Sequence, residues 1–179
     1  MELVYYPDET LRKVADPIAA VDDEIRDLVP KMFEKMYATR GVGLAAPQVG
    51  VGRRLVVSNE TGDPESKDLE EVYLNPEIVA QEGSLRGEEG CLSLPGIHVK
   101  VLRAQKVRVR YMDLDGETHE IEAEDWKARI FQHEIDHLDG ILIIDKMSPA
   151  EMAFFEQDLK DLEAGERPEI EPSHSGAAL

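Results

Sequence analysis

Cysteine is almost absent from this chain. Cys91 is the single one in 179 residues, which excludes an internal disulfide and fits a reducing compartment. Basic residues are also scarce, because 20 Lys and Arg stand against 38 Asp and Glu, a formal net charge of −18. Phosphate backbones and anionic lipid surfaces are bound by clustered cations, so this balance argues against direct nucleic-acid binding and against membrane docking. Long hydrophobic runs are missing too. No stretch approaches the ~20 apolar residues of a membrane span, and Met1 to Pro7 lacks the basic and apolar regions of a signal peptide. These absences predict a cytoplasmic protein. What is present, 42% apolar residues in a length that suits one domain, suffices for a packed core.

From Asp22 or Asp23, an N-cap candidate, Ile25, Leu28, Val29, Met32, Phe33 and Met36 recur at helical spacing up to Arg40-Gly41. Pro30 either kinks this helix or restarts it. Gly41 to Gly50 holds too much glycine and proline for a helix and is too apolar for a surface loop, so it reads as buried and irregular. Leu55-Val57 and Val72-Leu74 read as strands. Between them Asn59 to Glu71 carries six acids and one base and reads as a solvated loop. Val107, Val109 and Tyr111, the Asp115-Gly116 turn, then His119 and Ile121 describe an antiparallel hairpin. A helix is expected from about Asp125 to Leu138, closed by Gly140. Ser148-Pro149 opens an acidic amphipathic helix with Met152, Phe154, Phe155 and Leu159, and a frayed tail is expected from Pro168. The pattern is α+β: a single domain with mainly antiparallel strands around a central metal-ligand helix.

That helix carries His133-Glu134-Ile135-Asp136-His137. Residues four apart project from one helix face, so both imidazoles can be directed at one divalent ion. Glu134 lies beside that ion, placed to take a proton from water that the ion has acidified. A catalytic site of this type takes a third protein ligand. Metzincin spacing would need histidine where Ile143 stands. Glu151 or Glu156 could close a thermolysin-like site, although both lie in a segment that reads as an exposed acidic helix. Cys91 is the remaining donor, and bound to a divalent ion it would be a thiolate.

Three blocks, Gly41-Val42-Gly43-Leu44-Ala45-Ala46-Pro47-Gln48, Glu89-Gly90-Cys91-Leu92-Ser93 and Gln132-His133-Glu134-Ile135-Asp136-His137, resemble the motifs of the peptide deformylase family. The likeness extends over residues 1–150, with Tyr6 to Arg12 similar to the family's N-terminus and no room for a transit peptide. Residues 151–179 are then an acidic C-terminal helix and tail.

The resemblance implies hydrolytic removal of the formyl group from N-formylmethionine of newly made polypeptides in a bacterial cytoplasm. It implies Cys91, His133 and His137 as metal ligands, and Glu134 as general base and later proton donor. Gln48 and the backbone N–H of Leu92 would polarise the formyl oxygen. Val42, Gly43, Glu89, Gly90, Trp126 and Ile130 would line the substrate cleft around the methionine side chain. Fe²⁺ is the implied resident ion, and Zn²⁺, Ni²⁺ or Co²⁺ suit the same donors. Some family members dock on the ribosome through a basic C-terminal helix. Here residues 151–179 hold eight acids and two bases, so that docking does not carry over. The rival readings are a His-Glu-x-x-His endopeptidase and an inactive formyl-peptide or metal-binding module.

Overall fold

The computed structural model describes residues 1–168. Seven strands and four α-helices follow one another, with one-turn 3-10 helices between some of them. The strands are β1 (Gly43–Ala45), β2 (Leu55–Ser58), β3 (Glu71–Glu82), β4 (Leu85–Cys91), β5 (Leu94–Arg103), β6 (Lys106–Met112) and β7 (Thr118–Glu124). The helices are α1 (Asp23–Ala38), α2 (Asp125–Leu138), α3 (Pro149–Phe154) and α4 (Glu156–Glu163). Five strands form one antiparallel sheet in the order β1-β2-β3-β6-β7, and β4 with β5 forms a separate antiparallel ribbon.

Helix α2 lies between the two sheets, and this position makes it buried on almost every side. Ala128, Phe131, Ile135 and Leu138 pack on Tyr73, Val107, Val109 and Ala123 of the five-stranded sheet. Arg129 and His133, on another face, reach the carboxylate of Glu89 in the ribbon. The fold is therefore the α+β arrangement expected, with the ligand helix at its centre.

Helix α1 starts where its cap predicts, with Asp22 accepting from the backbone N–H of Ile25 at 2.9 Å. It runs unbroken through Pro30, so the proline does not restart it. Its apolar stripe packs on Leu44, Leu55 and Val57. The Gly41 to Gly50 segment is buried and irregular as read, a three-residue strand running into a 3-10 turn, Ala46–Val49.

Three expectations need correcting. β3 runs to Glu82, far beyond Val72-Leu74, and its register shifts after Leu74 and Ile78 destroy the alternation that would reveal it. β4 carries no strand signal, since Leu85-Arg86-Gly87-Glu88-Glu89-Gly90 has no apolar period. The C-terminal helix is two short helices broken at Phe155, and Met152 and Phe154 are exposed while Leu159 and Leu162 are buried. These two leucines join Leu94, Ile97 and Leu142 in one cluster, so α4 is packed into the domain. The expected fraying concerns residues that, after Pro168, lie outside the described ones.

Gly140 ends α2 at φ 73°, and a Cβ built there would lie 2.4 Å from the carbonyl oxygen of Arg12. Both the left-handed backbone and the backbone contact oppose a side chain. Gly140→Ala is expected to lose roughly 2–4 kcal/mol of unfolding free energy in a denaturant titration.

Candidate active site

Folding brings the three sequence blocks to one point. Cys91 ends β4, while His133 and His137 stand one turn apart on α2. Cys91 Sγ lies 3.3 Å from His137 Nε2, which lies 3.2 Å from His133 Nε2. The three donor atoms all fall within 4.8 Å of one another, and all three residues are buried. Arms of 2.0–2.3 Å around a tetrahedral ion place donors about 3.3–3.6 Å apart. Two of the three separations, 3.3 and 3.2 Å, lie at the short end of this range, and the third is within 4.8 Å, so the group could hold one divalent ion.

Protonation tells the same story. His133 Nδ1 is 3.0 Å from Glu89 Oε2, a partner that favours the N–H on Nδ1 and the lone pair on Nε2. Burial, with the neighbouring His133 and Arg103, holds the His137 pKa well below its ordinary value, so its imidazole is neutral, the form that ligates. Burial pushes the Cys91 thiol up to about 12, with the carboxylates of Glu134 and Glu89 adding to the effect against opposing backbone N–H groups of Ser93 and Leu94. A thiolate at this position needs a cation, and the donor set supplies the place for one.

Glu89 is held from behind. Arg103 donates to both its oxygens at 2.9 Å, and Arg129 donates to Oε1 at 2.6 Å. Arg103 also reaches Asp136. Burial opposes the ionised form of Glu89, yet the hydrogen bonds and charges of Arg103 and His133 win and keep its pKa well below the carboxylate range. Its carboxylate is fully engaged by two guanidinium groups and His133.

Glu134 is fully buried, and neither of its oxygens has a hydrogen-bond partner among the described residues. Burial pushes its pKa up to about 8, with the charge of Glu89 adding and that of Arg103 opposing. The space above it exists because residue 43 is glycine. A Cβ at Gly43 would lie 2.5 Å from Glu134 Oε1.

Gln48 sits on the 3-10 turn after β1, and its Oε1 accepts from Ala45 N at 2.9 Å. That bond fixes the amide, so Nε2 faces Ser93 Oγ at 3.4 Å and Cys91 Sγ at 3.8 Å. Leu92 follows Cys91 in the turn between β4 and β5, its side chain in the core beneath α1.

The remaining cleft residues are less uniform. Val42 packs against Ile130 in a small cluster of its own. Gly90 pairs with His98, whose ring would meet a Cβ at 3.0 Å. Trp126 is 37% exposed on the first turn of α2, and its indole N–H donates to the carbonyl of Glu60 at 3.4 Å. The acidic loop after Asn59 therefore belongs to this side of the molecule. Gly62 comes so close that a Cβ there would lie 3.3 Å from Val42 Cγ1. Asn59 anchors the loop from inside, donating to Tyr37 Oη and to the carbonyls of Asp63 and Ser66. The loop is solvated as read, with most residues from Glu60 to Leu69 exposed, and the buried Asn59 fixes its root.

The model of the polypeptide deformylase family matches residues 1–153. The chain belongs to that family. A peptide deformylase of Acidobacterium capsulatum is 50% identical over 146 residues, covering 82% of this chain and 85% of that protein. Among solved structures, a plant peptide deformylase superposes with a TM-score of 0.88 at 40% identity, covering 92% of this chain and 90% of that one. The peptide deformylase of Plasmodium falciparum gives 0.88 at 38% identity, covering 98% of this chain and all of that one. Deformylase membership makes this chain a metal-dependent hydrolase, and the structure contains a Cys/His/His cluster that could hold an ion. Among the described residues no helix is long and apolar enough to cross a membrane.

Proposed function

We propose that Cys91, His133 and His137 hold one divalent ion, with Glu134 as general base and proton donor and with Gln48 and the N–H of Leu92 as donors to the formyl oxygen. The reaction is the family's, removal of the N-formyl group from N-formylmethionine of newly synthesised polypeptides. One observation carries the residue assignment: a buried carboxylate without a partner stands beside three donors spaced for a single ion.

When bound, the ion supplies a Lewis acid and brings the pKa of water toward neutrality. Glu134 does the proton work. Its pKa is raised to about 8 by burial, and a cation in the adjacent site draws it back down, leaving a group that takes and returns a proton near neutral pH. It accepts the proton of water as the oxygen adds to the formyl carbon. It then delivers that proton to nitrogen as the carbon–nitrogen bond breaks, giving formate and a free amine. The amide of Gln48 is oriented by Ala45, which holds its Nε2 beside Cys91 Sγ and Ser93 Oγ as a donor for the developing negative charge.

Val42, Ile130 and Trp126 supply apolar surface for the methionine side chain, and the backbones of Gly43, Glu89 and Gly90 supply partners for an extended peptide. Two sheet edges support this reading, because β1 ends the five-stranded sheet and β4 pairs only with β5. Each has an edge that faces no further strand among the described residues, the arrangement strand addition uses. The ion is taken as Fe²⁺, for which Zn²⁺, Ni²⁺ and Co²⁺ are chemically suitable replacements, and the compartment as the cytoplasm, where formylated chains arise.

Anaerobic purification with Fe²⁺ and measurement of formate from formyl-Met-Ala tests the assignment. One ion per chain with steady formate release is expected. Bound ion without formate would instead favour the binding module, and cleavage of an unformylated internal peptide bond would favour the endopeptidase.

Residues 1–150 are taken as the catalytic part and 151–179 as an acidic extension. Its described acids, among them Glu151, Asp158 and Glu163, repel RNA, so nascent chains are captured from solution. Sedimentation with ribosomes should show no complex, and a salt-sensitive, tail-dependent one would overturn this.

A further inference from the structure

Arg129 plays no part in the chemistry described above, yet it is a charged residue, 4% exposed, on the ligand helix. It stands one turn before His133, so both side chains leave the same helix face. Between them sits Glu89, receiving Arg129 Nη1 on Oε1 at 2.6 Å and facing His133 Nδ1 through Oε2 at 3.0 Å. The rest of the guanidinium is tied to the ribbon, to the carbonyls of Leu85 at 2.7 Å in β4 and Val101 at 3.1 Å in β5. The space it occupies is kept free by Gly87, where a Cβ would lie 2.8 Å from Arg129 Nη2.

Arg103 alone would neutralise Glu89, and it does so from the ribbon itself. Arg129 adds something different, since it is the group that bonds at once to the carboxylate orienting His133 and to the backbone of the strand that carries Cys91. Lysine could supply the charge but not a planar fork of donors spanning three acceptors.

We propose that Arg129 is a positioning residue that locks β4 to α2, so that the thiolate, the His133 imidazole and the edge of β4 keep one geometry as substrate binds. The inference rests on the proposed ligand set and peptide edge.

The test uses the full chain loaded with Co²⁺, whose visible absorption reports thiolate and imidazole ligands independently of turnover. The unsubstituted protein is read first, and a spectrum without thiolate bands would overturn the ligand set itself. Arg129→Met, with folding checked by circular dichroism, is then expected to release Co²⁺ to a chelator about 10-fold or more faster. It should also raise KM for a formyl-methionyl peptide. Arg129→Lys, keeping charge near Glu89 but losing the carbonyl bonds, should hold Co²⁺ within a few-fold of the parent while KM stays raised. A folded Arg129→Met with parental release rate and KM overturns the proposal. Should Arg129→Met not fold, Arg129→Lys decides, and a parental KM in that variant overturns it equally.

Discussion

Glu134→Gln is expected to bind one ion per chain and to release formate about 10²–10⁴-fold more slowly than the parent. The two outcomes separate because the residue touches no ligand through a hydrogen bond. His133 is oriented by Glu89, and Glu134 has neither oxygen engaged. The substitution keeps the volume of a side chain packed against Gly43 and removes only the ability to accept a proton. A change of this size corresponds to roughly 3–5 kcal/mol of transition-state stabilisation. Metal analysis and formate release on one preparation check it. A rate within a few-fold of the parent would place the general base elsewhere.

Cys91→Ala should abolish stoichiometric metal binding and reduce formate release to background. Two imidazoles 3.2 Å apart remain, but without the thiolate the site loses its one anionic ligand, and two neutral donors hold a divalent ion far more weakly. The fold should survive, because the change removes one sulfur atom from a residue that ends a strand and costs about 1 kcal/mol of packing. A variant retaining one ion per chain and turnover would remove Cys91 from the ligand set.

Both predictions were accessible from the sequence because their chemistry is written locally. His133, Glu134 and His137 are spaced by the helix repeat alone, and Cys91 stands out as the one thiol in the chain. The positions of α1, of the Gly41 to Gly50 segment and of the β6-β7 hairpin followed from periodicity and turn residues in the same way. What did not follow is whatever depends on residues far apart in the chain. Glu89, Arg103 and Arg129 look like surface charges one at a time, and only packing shows them sharing a single buried carboxylate. β4 stayed hidden for the same reason. Gly87 and Glu89 are there to meet Arg129, so the strand lacks an apolar rhythm. Asn59 shows the converse, since one buried polar side chain ties an exposed acidic loop to α1 through Tyr37. Phe154, read as part of an apolar face, is 77% exposed because the helix breaks immediately after it.

The three ligands come from the end of β4 and from a helix some forty residues later, so their juxtaposition exists only once ribbon, helix and large sheet have closed on one another. An unfolded chain offers no such constellation, which makes the ion a mass-action stabiliser of the native state as well as a catalyst. At a free ion concentration 1,000 times the dissociation constant, that linkage is worth about 4 kcal/mol, a large fraction of the stability of an ordinary domain. Chelation is therefore expected to weaken the whole domain together with its chemistry, with a melting temperature that rises with free metal.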